Sequence, residues 1–185
     1  MSENACLTLL HNNIVFKVAW VPRVFNSIAD HFSKVIDRDD WEISPILFNK
    51  IKKLVKCEFT LDCFATRENA KCTKFYSRFY SNGCAGVDAF NFNWHGEVVW
   101  VVPPPRLGAK TIRHFLNCKS KGVLILPFWP SQSYWPLILD SEFDKFVVFK
   151  WEFPGEMYVV PGSSGNSVFK PFKGVLLVLY VNCEY

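Results

Sequence analysis

Short, dense apolar runs separated by polar punctuation divide this chain into elements. Ile14 to Trp20 alternates, with Ile14, Phe16 and Val18 on one face, and predicts a half-buried strand that Pro22 ends. Asn26 or Ser27 caps a following helix, about Ile28 to Val35. Asp37-Arg38-Asp39-Asp40 is a polar joint and the expected domain boundary. Ser44 as N-cap and Pro45 at the first helical position open a helix. Its Ile46, Leu47, Phe48, Ile51, Leu54 and Val55 repeat at helical spacing to about Lys56. Phe59 to Ala65 reads as a strand, Glu68 to Lys74 as a turn or short helix, and Ala85 to Phe90 as a short element. Val98 to Val102 predicts a buried strand that stops at three prolines. Thr111 to Lys119 predicts a helix capped by Gly122, and Val123 to Leu126 a second buried strand. Ser133 to Leu139 reads as a short helix, Phe143 to Phe149 and Met157 to Val160 as strands, and Pro161 to Asn166 as a loop before a hydrophobic, strand-like tail. Strand, helix, strand with continuous apolar runs is the signature of an α/β sheet with helices on its faces.

Composition narrows this picture modestly. Half of the 185 residues are hydrophobic and 17% are aromatic, enough for a real core and too many for a disordered chain. A net charge of +4, from scattered lysines and arginines, permits nucleic-acid contact without demanding it. Lys50, Lys52, Lys53 and Lys56 share one expected helix, where a solvated face is the default reading. Seven cysteines with no close pair argue against a disulfide framework and a zinc site, and for reduced, packed thiols. The first residues lack the pattern of a signal peptide, and Phe172 to Val181 is too short to span a bilayer. The expected setting is intracellular, cytoplasmic or nuclear, without a membrane partner.

Three further segments carry chemistry. Thr60 to Phe75 reads T-L-D-C-F-A-T-R-E-N-A-K-C-T-K-F, Val98 to Pro105 reads V-V-W-V-V-P-P-P, and Gly122 to Trp135 reads G-V-L-I-L-P-F-W-P-S-Q-S-Y-W. Their order resembles the Dam-like adenine methyltransferase domain that follows reverse transcriptase and ribonuclease H in DIRS-type, tyrosine-recombinase retrotransposons. The segment Asn13 to Lys34, with Asn26 and Ala29-Asp30, resembles the last strand and last helix of a retroelement ribonuclease H domain. About a dozen residues precede it, too few for the rest of that fold. The resemblance therefore implies a piece of a retrotransposon polyprotein. The expected fold is α/β, a Rossmann-like, methyltransferase-type sheet preceded by the last strand and helix of a ribonuclease H. The expected division is a ribonuclease H remnant at 1–38, a Dam-like domain at 39–140 and a divergent hydrophobic tail at 141–185.

The resemblance also implies roles. Asp30 corresponds to the final active-site carboxylate of ribonuclease H, which needs partner carboxylates to hold metal. Asp62 sits at the carboxyl end of a strand, where open α/β sheets place ligands. Asp62, Ala65 and Asp88 are the candidate contacts to S-adenosylmethionine. Pro103 and Pro104 form the corner where a target adenine is received. There the family's Asn or Asp accepts a hydrogen from the adenine amine, a backbone carbonyl between the prolines accepts another, and an aromatic stacks on the base. Trp129, Tyr134 and Trp135 are candidate stacking residues for nucleic acid. This chain has Val102 at the polar position and Pro105 at the aromatic one, and no glycine turn after Asp62. Losing such an acceptor costs roughly 100-fold or more in rate.

The expectation is a polyprotein fragment without catalysis, without a cofactor, and with residual contact to nucleic acid and to the upstream reverse transcriptase and ribonuclease H portion. Two alternatives stay open: a DNA adenine methyltransferase using S-adenosylmethionine, and a part of a ribonuclease H completed by an upstream chain.

Overall fold

The computed structural model describes residues 41–161 and 172–184, with Ala19, Trp20, Pro22 and Phe25. The expected ribonuclease H strand and helix, Asp30 and the loop at 162–166 lie outside the described residues. The chain divides into two compact units, Met1–Ile36 and Asp37–Tyr185. The fold and site below belong to the second.

Its strands are β1 (Trp41–Ile43), β2 (Leu61–Asp62), β3 (Lys74–Ser77), β4 (Gly86–Val87), β5 (Val98–Val101), β6 (Lys121–Pro127), β7 (Val147–Pro154), β8 (Val159–Pro161) and β9 (Val175–Asn182). Its helices are α1 (Pro45–Val55), α2 (Gly108–Cys118), α3 (Trp135–Ile138), α4 (Ser141–Asp144) and α5 (Gly155–Tyr158). β1 and β8 form a small antiparallel ribbon. The other seven strands form one sheet in the order β4-β3-β2-β5-β6-β9-β7. The pairs from β4 through β6 are parallel, and β9 runs antiparallel between β6 and β7. This mixed, mostly parallel sheet is a methyltransferase-like α/β fold.

The continuous apolar runs resolve into two buried faces, because successive side chains of a strand point to opposite sides. Val99, Val101, Leu124, Leu126, Leu177, Leu179 and Val181 face one side, where Ile112 and Phe115 of α2 and the indole of Trp94 cover them. Trp100, Val102, Val123, Ile125, Leu176 and Val178 face the other, covered by Leu47 and Ile51 of α1 and by Trp41. Each such fully buried side chain contributes about 1.5–3 kcal/mol relative to exposure. Leu47, Ile51, Val99 and Leu124 are fully buried.

α1 begins as its sequence predicts, with the Ser44 hydroxyl accepting from the Leu47 N–H at 3.4 Å and Pro45 in the first turn. Elsewhere the structure corrects the local reading. Gly122 does not cap α2; Lys119 does, at φ 48°, while Gly122 lies within β6. There a Cβ would sit 2.0 Å from the Val99 carbonyl oxygen, so the close approach of β5 and β6 is what requires glycine. Phe143 belongs to α4, capped by the Asp140 side chain accepting from the Glu142 N–H at 2.9 Å, and the strand starts only at Val147. Met157 lies in α5. The segment after residue 140, set apart above as a divergent tail, supplies β7 and β9, and β9 is an inner strand buried on both faces. Its unbroken apolar run is what an inner strand needs.

Candidate methyltransferase site

From β2 the chain steps to β3 and β4 on one side, then returns to place β5 and β6 on the other. The order reverses between β2 and β5, and ligands of open α/β sheets bind outside the carboxyl ends of the strands at such a switch point. Asp62 ends β2, and Val102 with the three prolines follows β5. The two strands stay paired to their ends, where the Cys63 N–H donates to the Trp100 carbonyl at 3.0 Å.

Asp62 is buried, and backbone groups hold both its oxygens. Oδ2 accepts from the Lys71 N–H at 2.9 Å and Oδ1 from the Phe64 N–H at 3.3 Å. Burial pushes its pKa from an ordinary 3.8 up to about 6, against the opposing pull of those two N–H groups and the Lys71 charge. The loop after it is pinned by the Ala65 N–H donating to the Tyr76 carbonyl at 3.0 Å, and by Asn69 Oδ1 accepting from the Thr66 N–H at 2.7 Å. Ala65 is buried and has its own N–H engaged.

Asp88 follows β4 at the same edge of the sheet, at φ 59°, a conformation uncommon outside glycine. Its side chain accepts from the Phe90 N–H at 3.1 Å and caps the 3-10 turn Ala89–Asn91. Trp94 steadies that turn from below, its indole N–H donating to the Ala89 carbonyl at 3.0 Å. Phe64, Phe90, Trp94 and His114 pack together there, Phe90 stacked on Trp94 and the other pairs edge to face, with the Lys110 ammonium 3.9 Å from the Phe90 ring centroid.

At the corner, Pro103 and Pro105 are buried and Pro104 is partly so. The Pro103 carbonyl accepts the indole N–H of Trp41 at 3.0 Å, a contact spanning 62 positions. Glu42, next along β1, lies 4.0 Å from the Lys71 ammonium.

The three aromatic candidates do not form a platform. Tyr134 is fully buried, and its hydroxyl donates to the Pro127 carbonyl at 2.6 Å. Burial raises its phenol well above the ordinary range. Its ring fills the space a Gly108 Cβ would take, 2.5 Å away. Trp135 packs edge-on against Phe128, and Trp129 against Phe172, both half-buried clasps beside prolines. Trp41, Lys71 and Trp94 were not among the candidates read from sequence. Nothing local marks Trp41, whose partner is far along the chain, whereas the spacing of Trp94 after Asp88 could have drawn notice.

A mostly parallel sheet with a switch point between β2 and β5, a buried carboxylate ending β2 and a proline corner after β5 is consistent with a methyltransferase-like α/β fold. The family model described as DNA N-6-adenine-methyltransferase (Dam) matches residues 31–184. The chain belongs to that family. The match runs through β7 and β9 and so takes in the segment set apart as a tail. No curated protein matches the chain. Among the described residues no helix is long and apolar enough to cross a membrane.

Proposed function

We propose that this domain acts on DNA as an adenine methyltransferase with S-adenosylmethionine as methyl donor, and that its turnover is slow. The observation that carries the reading is the family match over residues 31–184, and Asp62, buried at the carboxyl end of β2, supports it. A carboxylate that burial drives to a pKa of about 6 weakens the fold at neutral pH, and costly groups of this kind concentrate at functional sites. The donor set fits the cofactor. A carboxylate offers about four lone-pair sites, of which backbone N–H groups fill two on Asp62, so ammonium or hydroxyl donors have acceptors left to them. Asp88 adds a second acceptor, beside the aromatic wall of Phe64 and Phe90. When bound, the cofactor supplies an activated methyl group. The target adenine enters at Val102 to Pro105, where the Pro103 carbonyl is the acceptor for its amine. Slow turnover follows from Val102, which accepts no hydrogen bond, and from Pro105, which stacks poorly.

A second reading, cofactor and DNA binding without turnover, is favoured by the same Val102 and by the engaged Pro103 carbonyl. One experiment separates the two. Purified chain in excess is mixed with S-adenosylmethionine labelled in its methyl group and adenine-containing duplex DNA. Label in N6-methyladenine within one enzyme equivalent supports transfer. Cofactor binding with no labelled DNA after hours assigns the chain to the second reading.

The wider setting we infer is a retrotransposon polyprotein with ribonuclease H upstream. It is supported by the run Asn13 to Lys34 and by the order of the segments after it. Translating the adjacent genomic DNA tests it: reverse transcriptase motifs support the setting, and an unrelated upstream gene removes it.

A further inference from the structure

We propose that Trp41 occupies the place of the target adenine, so that this domain rests with its base pocket filled by its own indole. The inference rests on the reading of the proline corner as the base site, and deepens it.

Four observations converge. The indole N–H donates to the Pro103 carbonyl at 3.0 Å. Adenine presents the same chemistry there, a flat bicyclic ring with an N–H donor at its edge. Trp41 is 4% exposed and Pro103 is buried, so solvent does not compete for that bond. Val102, where the corner otherwise offers a polar acceptor, packs in one apolar cluster with Trp41 and is itself only 8% exposed. A valine is a poor partner for an adenine amine and a good one for the body of an indole. Finally, the strand that carries Trp41 is held by two contacts besides the indole bond. Its pairing with β8 matches Trp41 to Pro161 and Ile43 to Val159. Glu42 between them faces Lys71, whose backbone N–H holds Asp62. Displacing the indole therefore also disturbs the segment that positions the candidate cofactor carboxylate. Base binding becomes an exchange, one ring leaving the Pro103 carbonyl as another arrives, and the affinity for adenine falls by the stability of the closed form.

The test is chemical rescue of the full chain. Trp41→Ala opens a cavity at the corner. Its melting temperature is measured with free adenine, with indole, and with N6,N6-dimethyladenine, which lacks the amine hydrogens. Adenine and indole are each expected to raise the variant's melting temperature by roughly 5 °C or more at a hundredfold excess over their dissociation constants. Dimethyladenine is expected to do far less, and none of the three moves the wild type. Rescue by indole alone, or by neither ring, overturns the proposal. Should Trp41→Ala not fold, Trp41→Phe keeps the ring and removes the donor. It must then bind an adenine-containing oligonucleotide at least fivefold more tightly than wild type, and an unchanged affinity overturns the proposal. S-adenosylmethionine titration of the same proteins keeps the two ideas apart. Cofactor binding without adenine rescue sinks the indole plug alone, whereas adenine rescue without cofactor binding sinks the methyl-donor reading and leaves the plug.

Discussion

Replacing Asp62 by asparagine removes a charge that the fold holds at a loss, and the sign of its pH dependence is fixed by the direction of the shift. The carboxyl group titrates near 3.8 ordinarily and at about 6 in the folded chain. Below pH 3.8 it is protonated in both states and contributes no difference. Between 3.8 and 6 the unfolded chain releases the proton while the folded chain keeps it, so stability falls as pH rises. Above about 6 the loss is complete and constant. At 1.36 kcal/mol per pH unit it amounts to about 3 kcal/mol. Asparagine escapes that loss but keeps only one acceptor for two N–H groups, and turns an amide donor toward the other. An unsatisfied buried N–H costs about 1–3 kcal/mol. Asp62→Asn should therefore stabilise the domain by about 1 kcal/mol at pH 7.5 and destabilise it at pH 4. The assay is urea unfolding of both proteins at half-unit steps from pH 4 to 8. A difference between them that stays flat from pH 4 to 7, or wild-type stability that gains on the variant as pH rises, would refute the reasoning. It would mean that the Phe64 and Lys71 amides outweigh burial.

Other outcomes follow from the same geometry. If the cofactor's donors bind ionised Asp62, affinity for S-adenosylmethionine should weaken toward tenfold per pH unit below about 6 and level off above 7, as calorimetric titration across that range will read. Gly122→Ala should lower stability by about 3 kcal/mol or more, because the atom in the way is the Val99 backbone carbonyl in a paired strand; a melting temperature within 2 °C of wild type would contradict this. Val102→Asn should raise single-turnover methyl transfer on the order of 100-fold while costing about 2 kcal/mol of stability, and an unchanged rate in a folded variant would remove the missing acceptor as the cause of slow turnover.

What could be read from sequence was local or periodic. Ser44 and Pro45 announced α1 because a cap and a proline act within one turn. The runs around Val99 and Val123 announced inner strands because both faces are covered. α2 started earlier than its periodicity implied, at Gly108, because the 3-10 turn Pro105–Leu107 leads directly into it without a capping side chain. β9 looked like an unmatched tail because the slot that receives it lies between β6 and β7, and no feature of Val175 to Asn182 records that. At the site, Asp62 and Asp88 were legible as polar residues ending apolar runs, and the structure sets both at the carboxyl edge of the sheet. Tyr134, a candidate stacking residue, fills the space over Gly108; an aromatic beside prolines looks the same in sequence whether it faces solvent or packs as a buried clasp. The Trp41 to Pro103 contact is not legible in the sequence, since its partners lie 62 positions apart.

The central claim is that the switch point at the carboxyl ends of β2 and β5 holds S-adenosylmethionine. Isothermal titration of the folded chain at pH 7.5 tests it most directly, with Asp62→Ala and Asp88→Ala alongside. The account predicts saturable one-to-one binding that weakens at least tenfold in each variant, with a melting shift worth about 2.7 kcal/mol at a hundredfold excess over the dissociation constant. A chain that is folded by circular dichroism and gives neither heat nor a melting shift would contradict it.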